Sequence, residues 1–148
     1  MKIGLDTNIF LNVKNKEKPF YQYSEAILNA IDEGELKAVI SIISIAELCV
    51  GYYRKNELID KDEFIAGIYS NKNYNMIEMN LKVADKAGEI KNKSNLKLPD
   101  SIITASIILE GASCLITNDG GFENAKDFIS VFTSKEFYEN YLQKEMEN

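Results

Sequence analysis

Four acidic residues lie in apolar segments of the sequence, where a carboxylate is costly unless it has a partner. Asp6 ends the apolar run "KIGLD", and Asp119 stands shortly after the apolar run "CLI". Glu47 is the only charged residue between positions 38 and 53, and Asp100 precedes nine uncharged residues. Burying a carboxylate without a partner costs on the order of several kcal/mol, so each of these acids needs an explanation.

Each acid also has an ordinary structural explanation. Asp6 and Asp119 suit the turns in which aspartate commonly ends a strand. Ser44 and Glu47 have the S-x-x-E spacing of a capping box, which predicts Ser44 as the N-cap of a helix. Asp100 follows a proline and would lie in a first helical turn, where the helix dipole stabilises a negative charge. Taken one at a time, these acids do not decide between structure and function.

A parallel α/β sheet would bring the four acids together. Two of them end strands and two lie near helix starts, and the ligand crevice of such a sheet lies beyond the carboxyl ends of its strands. Neighbouring carboxylates raise each other's pKa unless a cation lies between them. The chain has no histidine, and ligation by oxygen alone suits Mg²⁺ or Mn²⁺. Such an ion can polarise a phosphodiester, activate a water and stabilise the leaving oxygen.

The order of sequence patterns predicts alternating strands and helices, which favours a parallel sheet covered on both faces. The predicted strands are short apolar or β-branched runs: Ile3 to Leu5, "KAVISI", "NYNMIEM", "ASCLIT" and "FISVF". Helices are predicted after Asp6, from Tyr23 to Ile31, from Ile45 to about Arg54, from near Asp60, in "NLKVADKAGEIKNK", from Asp100 to Glu110 and in "SKEFYENYLQKEMEN". The segment "NDGG" is predicted to be a turn.

The composition fits one globular domain over residues 1–148, because 45% of the residues are hydrophobic and 27% are charged. No stretch approaches the length of a membrane span, and the N-terminus lacks a signal-peptide pattern. Cys49 and Cys114 have no CxxC spacing, which favours buried thiols in a reducing compartment. We therefore expect a cytoplasmic protein without a membrane partner. The absence of histidine also excludes imidazole bases and serine–histidine triads.

The net charge of −6 argues against a protein that holds nucleic acid by charge alone. Two lysine-rich segments nevertheless flank the acids, "NVKNKEKPF" after Asp6 and "IKNKSNLKLP" before Asp100. They supply the lysines that we predict to contact RNA: Lys14, Lys16, Lys18, Lys91, Lys93 and Lys97. An ordinary solvated surface explains these lysines equally well.

The four acidic motifs together resemble the PIN domain family of small metal-dependent nucleases, which includes the VapC-type toxins of prokaryotic toxin–antitoxin pairs. "LDTNIFL", "SIISIAEL", "LPDSIITASII" and "LITND" are similar to its successive motifs, from Met1 to about Phe132. The resemblance implies a three-layer α/β/α sandwich with a mostly parallel five-stranded sheet, Mg²⁺ or Mn²⁺ as cofactor, and endoribonuclease activity on RNA. It also implies an acidic quartet and two supporting polar residues: Asp6, Glu47, Asp100 and Asp119, with Asn8 and Thr117.

One segment departs from the family pattern. After the fourth motif many relatives have a charged pair and then Asp-Phe, whereas this chain has Gly120, Gly121 and Phe122. The nearest acid, Glu123, follows that phenylalanine instead of preceding it. A fifth acid at the site is therefore not expected from the pattern.

Three alternatives remain open. A PIN nuclease can process RNA as housekeeping without being a toxin, and a neighbouring gene for a small antitoxin would separate these two roles. A signalling receiver domain also places acids at strand ends, but it needs a paired acid after the first strand and a lysine after the last. "GLDTN" and "FISVF" supply neither. A catalytically silent scaffold is disfavoured because all four acids are present.

The resemblance further implies a small antitoxin as protein partner and a homodimer. The segments "YQYSEAILNAIDEG" and "DKDEFIAGIYS" carry more apolar side chains than one buried stripe requires. We expect the following side chains to pair two protomers: Tyr21, Tyr23, Leu28, Phe64 and Tyr69. The alternative is that these side chains complete the core of a monomer.

Overall fold

The computed structural model describes residues 1–143, which contain a five-stranded sheet in the order β3-β2-β1-β4-β5. The strands are β1 (Lys2–Leu5), β2 (Lys37–Ser41), β3 (Tyr74–Ile77), β4 (Cys114–Ile116) and β5 (Ser130–Phe132). Every neighbouring pair is parallel, so the carboxyl ends of all the strands lie at one edge. The sheet is therefore wholly parallel where the sequence predicted a mostly parallel one.

Helices cover both faces of this sheet. They are α1 (Thr7–Lys14), α2 (Tyr21–Asp32), α3 (Ile42–Arg54), α4 (Leu58–Ser70), α5 (Leu81–Lys93), α6 (Leu98–Leu109), a 3₁₀ helix (Gly120–Asp127), α7 (Ser134–Phe137) and a π-helical turn (Tyr138–Leu142). Local sequence explains several helix ends. Asn80 caps α5 by accepting a hydrogen bond from the N–H of Val83, and Gly34, at φ 82°, follows α2.

Alternation along the strands divides the core into two buried clusters. Ala38 and Ile40 of β2 enter the cluster beneath α1 to α4 and α7, whereas Val39 enters the cluster beneath α5 and α6. In β4, Ile116 belongs to the first cluster and Leu115 to the second. Successive side chains of a strand point to opposite faces, so both faces of the sheet are buried. The predicted three-layer α/β/α sandwich is confirmed.

Helix α6 lies directly against β1 at Gly4. A Cβ atom on Gly4 would overlap the side chain of Ile107, so a larger residue would force that side chain to move. This close packing fixes α6, whose first turn carries Asp100 close enough to Asp6 for their charges to interact.

Two predictions are wrong at helix starts. Helix α3 begins at Ile42, and its N-cap is Ser41, whose hydroxyl accepts a hydrogen bond from the N–H of Ile43 at 3.2 Å. The sequence predicted Ser44 as this cap, but Ser41 ends β2 and caps the helix at once, so no loop intervenes. The predicted turn "NDGG" instead contains the start of the 3₁₀ helix, with Asp119 as its N-cap.

The predicted closing helix is interrupted. Helix α7 is a single short turn that passes into the π-helical turn, and residues 144–148 of the prediction lie outside the described residues. Thr133 and Glu136 form the capping box of α7, with hydrogen bonds of 3.1 and 3.2 Å between each side chain and the other residue's N–H. No helix within residues 1–143 is long and apolar enough to cross a membrane.

Candidate active site

Asp6 lies at the carboxyl end of β1, where it is 5% exposed and caps α1. Its Oδ1 accepts a hydrogen bond from the N–H of Thr7 at 2.7 Å. Its Oδ2 accepts one from the hydroxyl of Thr117, just after β4, at 2.8 Å. These bonds fix the orientation of the carboxylate, and each oxygen keeps a lone pair for a further ligand.

The hydroxyl of Thr117 connects the ends of β1 and β4. It donates to Asp6 and accepts hydrogen bonds from the side chain of Asn8 at 3.3 Å and from the N–H of Asp119 at 3.0 Å. The carbonyl oxygen of the Asn8 side chain accepts from the N–H of Asn118 at 3.2 Å. Of the two polar residues that were predicted to support the acids, Thr117 therefore contacts Asp6 and Asp119 directly, and Asn8 contacts Thr117.

Glu47 lies on α3 and reaches the same edge of the sheet. Its Oε1 accepts a hydrogen bond from the hydroxyl of Thr7 at 2.8 Å, while the side chain stays exposed. The predicted capping box with Ser44 is wrong, because α3 begins at Ile42 and Glu47 lies in its second turn. Within residues 1–143, the buried hydroxyl of Ser44 has no hydrogen-bond partner.

Asp100 and Asp119 complete the acidic group. Asp100 lies half-buried in the first turn of α6; burial raises its pKa, the charges of Asp119 and Glu47 raise it further, and the ammonium of Lys97 lowers it. Asp119 is exposed, and its Oδ1 accepts a hydrogen bond from the N–H of Gly121 at 2.8 Å. The structure therefore brings together all four acids that the sequence singled out.

Electrostatic repulsion connects these acids. Burial raises the pKa of Asp6 to about 7, although hydrogen bonds from Thr117 and Thr7 oppose the shift, and the charges of Asp100 and Glu47 add to it. Both effects disfavour the ionised carboxylate. A cation beside these groups would favour the ionised form and would remove the repulsion between them.

The donor set of this site fits a hard divalent cation. It offers carboxylate, hydroxyl and amide oxygens, which suit Mg²⁺ or Mn²⁺. Among residues 1–143, no three Asp, Glu, His or Cys side chains are already arranged to hold one ion together. Mg²⁺ commonly binds through one or two carboxylates and keeps several waters. Asp6 with one neighbouring acid therefore meets its requirement.

The lysines that were predicted to contact RNA lie in different surroundings. Lys97 acts on the acids, because its charge lowers the pKa of Asp100. Lys14 instead pairs with Glu57 at 3.2 Å and lies over the ring of Tyr52. The remaining four lysines are exposed: Lys16, Lys18, Lys91 and Lys93.

The segment that departs from the family pattern, Gly120 to Phe122, contributes a side chain to the hydrophobic core. Phe122 is 1% exposed in the cluster beneath α5 and α6. Glu123 is exposed and pairs with Lys126 at 2.9 Å on the surface of the 3₁₀ helix. Its carboxylate is therefore engaged with a lysine of its own helix.

A second polar cluster, which the sequence patterns did not predict, lies beside the acids. The side-chain amide of Asn118 donates to Asn12 at 2.8 Å and to Ser134 at 3.0 Å, and its oxygen accepts from the N–H of Ser134 at 3.0 Å. Ser24 donates to Asn12 at 3.2 Å, and Asn12, Ser24 and Ser134 are all buried. We call Asn12, Ser24, Asn118 and Ser134 the asparagine network. A sequence signal for it is Asn12, a polar residue one helical turn after Asn8.

Several solved structures resemble the chain in fold. A toxin–antitoxin complex from Klebsiella pneumoniae is 21% identical with a TM-score of 0.66, covering 89% of this chain and 97% of that one. VapBC2 from Rickettsia felis, bound to a promoter DNA fragment, is 23% identical with a TM-score of 0.67, covering 90% and 98%. VapC20 from Mycobacterium tuberculosis, a toxin that cleaves the sarcin-ricin loop, is 14% identical with a TM-score of 0.65, covering 83% and 94%.

At the level of sequence, no curated protein matches the chain. The model of the PIN domain family matches residues 3–127 of this chain of 148 residues, and the match includes all four acids of the site. This match points to the same family as the order and spacing of the acidic motifs, and the parallel sheet is consistent with it. The chain belongs to the PIN domain family.

Proposed function

We propose that this chain is a divalent-metal-dependent endoribonuclease and the toxin of a toxin–antitoxin pair. The observation that carries the proposal is the convergence of four carboxylates, from β1, α3, α6 and the segment after β4, on the carboxyl edge of the sheet. Hydrogen bonds through Thr7 and Thr117 and the mutual effects on pKa support this convergence. Membership of the PIN domain family supports a nuclease role.

In this proposal the acids Asp6, Glu47, Asp100 and Asp119 hold Mg²⁺ or Mn²⁺. When bound, such an ion would polarise the phosphodiester, make a bound water more acidic and stabilise the negative charge that develops on the leaving oxygen. Thr7 and Thr117 hold the orientation of the Asp6 carboxylate, and Asn8 braces Thr117.

Positive charge near the acids assists the approach of the substrate. Lys97 lies close enough to Asp100 to lower the pKa of its carboxyl group, so the same ammonium can attract a phosphate to the site. The exposed lysines Lys91 and Lys93, in the last turn of α5, extend this charge along the surface. Contacts of this kind position an RNA strand without reading its sequence.

The toxin role is supported by the solved structures that share the fold. The one from Klebsiella pneumoniae is a toxin–antitoxin complex, the one from Rickettsia felis is VapBC2 bound to promoter DNA, and the one from Mycobacterium tuberculosis is a toxin that cleaves the sarcin-ricin loop. We therefore propose a small antitoxin as the partner of this chain. Growth arrest on expression, relieved by co-expression of the protein from a neighbouring reading frame, would support this role. Unimpeded growth with intact cleavage activity would favour a housekeeping nuclease.

We also propose a homodimer, with a narrower surface than the sequence suggested. Phe64 packs against Phe10 at 5.5 Å, and Tyr23 against Tyr138 at 5.5 Å, so these two rings complete the core of one protomer. The apolar side chains left exposed on α3 and α4 are Val50, Tyr53, Leu58, Ile59 and Tyr69. Light scattering over a dilution series tests the dimer, and a constant mass near 16.8 kDa would rule it out.

Cleavage of total RNA tests the enzymatic proposal. The wild-type chain should cleave RNA when Mg²⁺ or Mn²⁺ is present and should stop when a chelator is added. Asp6→Asn should abolish cleavage, whereas Asp85→Asn, at an exposed acid of α5, should leave it unchanged. Cleavage that survives both the chelator and Asp6→Asn would overturn the proposal.

A further inference from the structure

A cavity of about 250 Å³ lies beside the acidic site. It is bounded by the segment at the start of α2 and by the turn from β5 into α7. Phe20 and Tyr23 supply aromatic rings to its wall, and Gln22 and Lys135 supply polar groups. Nothing in the proposed chemistry of the four acids uses these side chains.

The cavity adjoins the acids through two shared wall residues. Asn118 and Thr133 line it and also line a second cavity of about 160 Å³, which includes Thr117 and Asp119. Asn118 is the chain neighbour of Asp119, so the two cavities meet where the asparagine network borders the acids. A strand with one phosphate at Asp119 would therefore direct an adjoining nucleotide towards the larger cavity.

Several lining groups have unused binding capacity. Phe20 is half-buried, yet it belongs to neither hydrophobic cluster and has no aromatic partner within residues 1–143. The exposed carboxamide of Gln22 makes no hydrogen bond in the same part of the chain. Thr133 accepts a hydrogen bond from the N–H of Glu136 and keeps its own hydroxyl proton to donate.

The wall behind these groups is held in place by contacts within the chain. Asn118 is held by hydrogen bonds to Asn12 and Ser134, which join α1 to α7. Tyr23 is held against the ring of Tyr138 at 5.5 Å. A site on a fixed frame loses little freedom when it binds its ligand.

The chemistry of the wall matches an unpaired nucleobase. Proteins recognise single-stranded RNA by stacking splayed bases on aromatic rings and by hydrogen bonds to the base edges. The residues that line this one space carry an aromatic ring, a carboxamide, a hydroxyl and an ammonium group, and the ammonium of Lys135 also lies 4.0 Å from the carboxylate of Glu139. The volume is smaller than the roughly 300–1,000 Å³ of pockets for drug-sized ligands, which favours a single ring system over a larger molecule.

We propose that this cavity is a base subsite, which takes one unpaired nucleobase of an RNA strand whose adjoining phosphate lies at the four acids. The inference rests on the proposed nuclease function and names how its substrate is positioned. Phe20 stacks on the base, Gln22 binds its edge, and Lys135 attracts the neighbouring phosphate. Because paired bases cannot enter the cavity, the subsite directs cleavage to single-stranded segments.

A single introduced tryptophan gives a direct test, because the chain contains no tryptophan. The full chain with Asp6→Asn and Phe20→Trp carries one indole at the subsite and should bind RNA without cutting it. A short single-stranded RNA should quench the indole fluorescence, whereas an abasic oligonucleotide of the same length should not. RNA binding without quenching, or no RNA binding at all, would overturn the base subsite.

A second set of variants measures the contribution to affinity. In the Asp6→Asn background, Phe20→Leu keeps an apolar side chain but removes the stacking ring, and we expect it to weaken binding of single-stranded RNA about tenfold. Binding of the abasic oligonucleotide should not change. Lys135→Ala should weaken binding of both, whereas Lys72→Ala, at the opposite edge of the sheet, is the matched charge control. Equal affinity of Phe20→Leu and its parent for single-stranded RNA would contradict the subsite.

Cleavage assays separate this inference from the proposed function. Suppose that the chain cleaves RNA and that this cleavage depends on Asp6. If Phe20→Leu and Gln22→Ala then cleave single-stranded RNA at the parent rate and bind it with the parent affinity, the base subsite is wrong and the proposed nuclease function is retained. If Asp6→Asn does not alter cleavage, the proposed function is wrong, and the base subsite that rests on it is wrong as well. Melting temperatures of all variants confirm that each is folded.

Discussion

Two polar clusters lie side by side at the carboxyl edge of the sheet, and they are satisfied to different degrees. In the asparagine network, amide and hydroxyl groups meet complementary partners, and Asn118 alone joins Asn12 and Ser134 by several hydrogen bonds. In the acidic group, Asp6 is well oriented, yet burial and the charges of Asp100 and Glu47 raise its pKa to about 7. The asparagine network holds α1, α7 and the segment after β4 together, whereas the carboxylates of the acidic group repel one another when they are ionised.

The difference follows from the kinds of groups involved. Neutral amides and hydroxyls both donate and accept, so a closed network can satisfy every member. Ionised carboxylates only accept, so several of them need donors or a cation between them. A cluster that weakens the protein by itself is most easily explained by what it binds, and perturbed pKa values are common at functional sites. Four tests sharpen this comparison, in decreasing order of their effect on the free energy of unfolding.

The first test uses pH. Folding raises the pKa of Asp6 from its ordinary value to about 7, so the native state holds a proton that the unfolded state has lost. Between about pH 4 and pH 7 the metal-free protein should therefore lose stability as pH rises, by up to about 4 kcal/mol. Asp6→Asn should flatten this dependence in urea titrations with chelator. A wild-type protein equally stable at both pH values would contradict the account.

The second test breaks the asparagine network. Asn118→Ala removes the hydrogen bonds that the Asn118 side chain makes to the buried residues Asn12 and Ser134, and it should destabilise the protein by about 3 kcal/mol. Urea titration measures the loss, and Asn92→Ala on the exposed face of α5 should cost little. A loss below about 0.5 kcal/mol in Asn118→Ala would mean that the network does not stabilise the fold.

The third test concerns the unpaired hydroxyl of Ser44. Because this buried group has no hydrogen-bond partner in the described part of the chain, Ser44→Ala should stabilise the metal-free protein by about 1 kcal/mol. Ser106→Ala is the matched control, since the equally buried hydroxyl of Ser106 donates to the carbonyl of Ile102 at 2.8 Å. We expect no gain from that control. A destabilised Ser44→Ala variant would show that the hydroxyl has a role in packing.

The smallest expected change in stability comes from Glu47→Gln. The amide oxygen of glutamine can still accept the hydrogen bond from Thr7, so the free energy of unfolding should change by less than about 0.5 kcal/mol. Cleavage of RNA should nevertheless be lost, because the charge that favours a cation is gone. Wild-type turnover in Glu47→Gln would return this residue to a structural role.

The sequence predicted the acidic group but not the asparagine network, because the acids follow recognisable local patterns and the network does not. Asp6 and Asp119 follow apolar strands, so a parallel sheet was enough to bring them together. The partners of Asn118, Asn12 and Ser134, are 106 and 16 residues away along the chain, and no periodic pattern in the sequence predicts pairs so far apart. Ser41 precedes α3 and Ser44 lies in its first turn, and the S-x-x-E spacing of Ser44 and Glu47 favoured the wrong serine as the N-cap.

Thermal unfolding with and without Mn²⁺ at pH 7.5 tests most directly whether the acidic group is built for a divalent cation. An ion that binds the native state at about 100 times its Kd adds about 2.7 kcal/mol, which for a chain of this size is a rise in Tm of roughly 5 °C or more. We predict this rise for the wild type and for Asp85→Asn, and its absence in Asp6→Asn. A wild-type Tm that does not respond to Mn²⁺, or an equal rise in Asp6→Asn, would contradict the central claim.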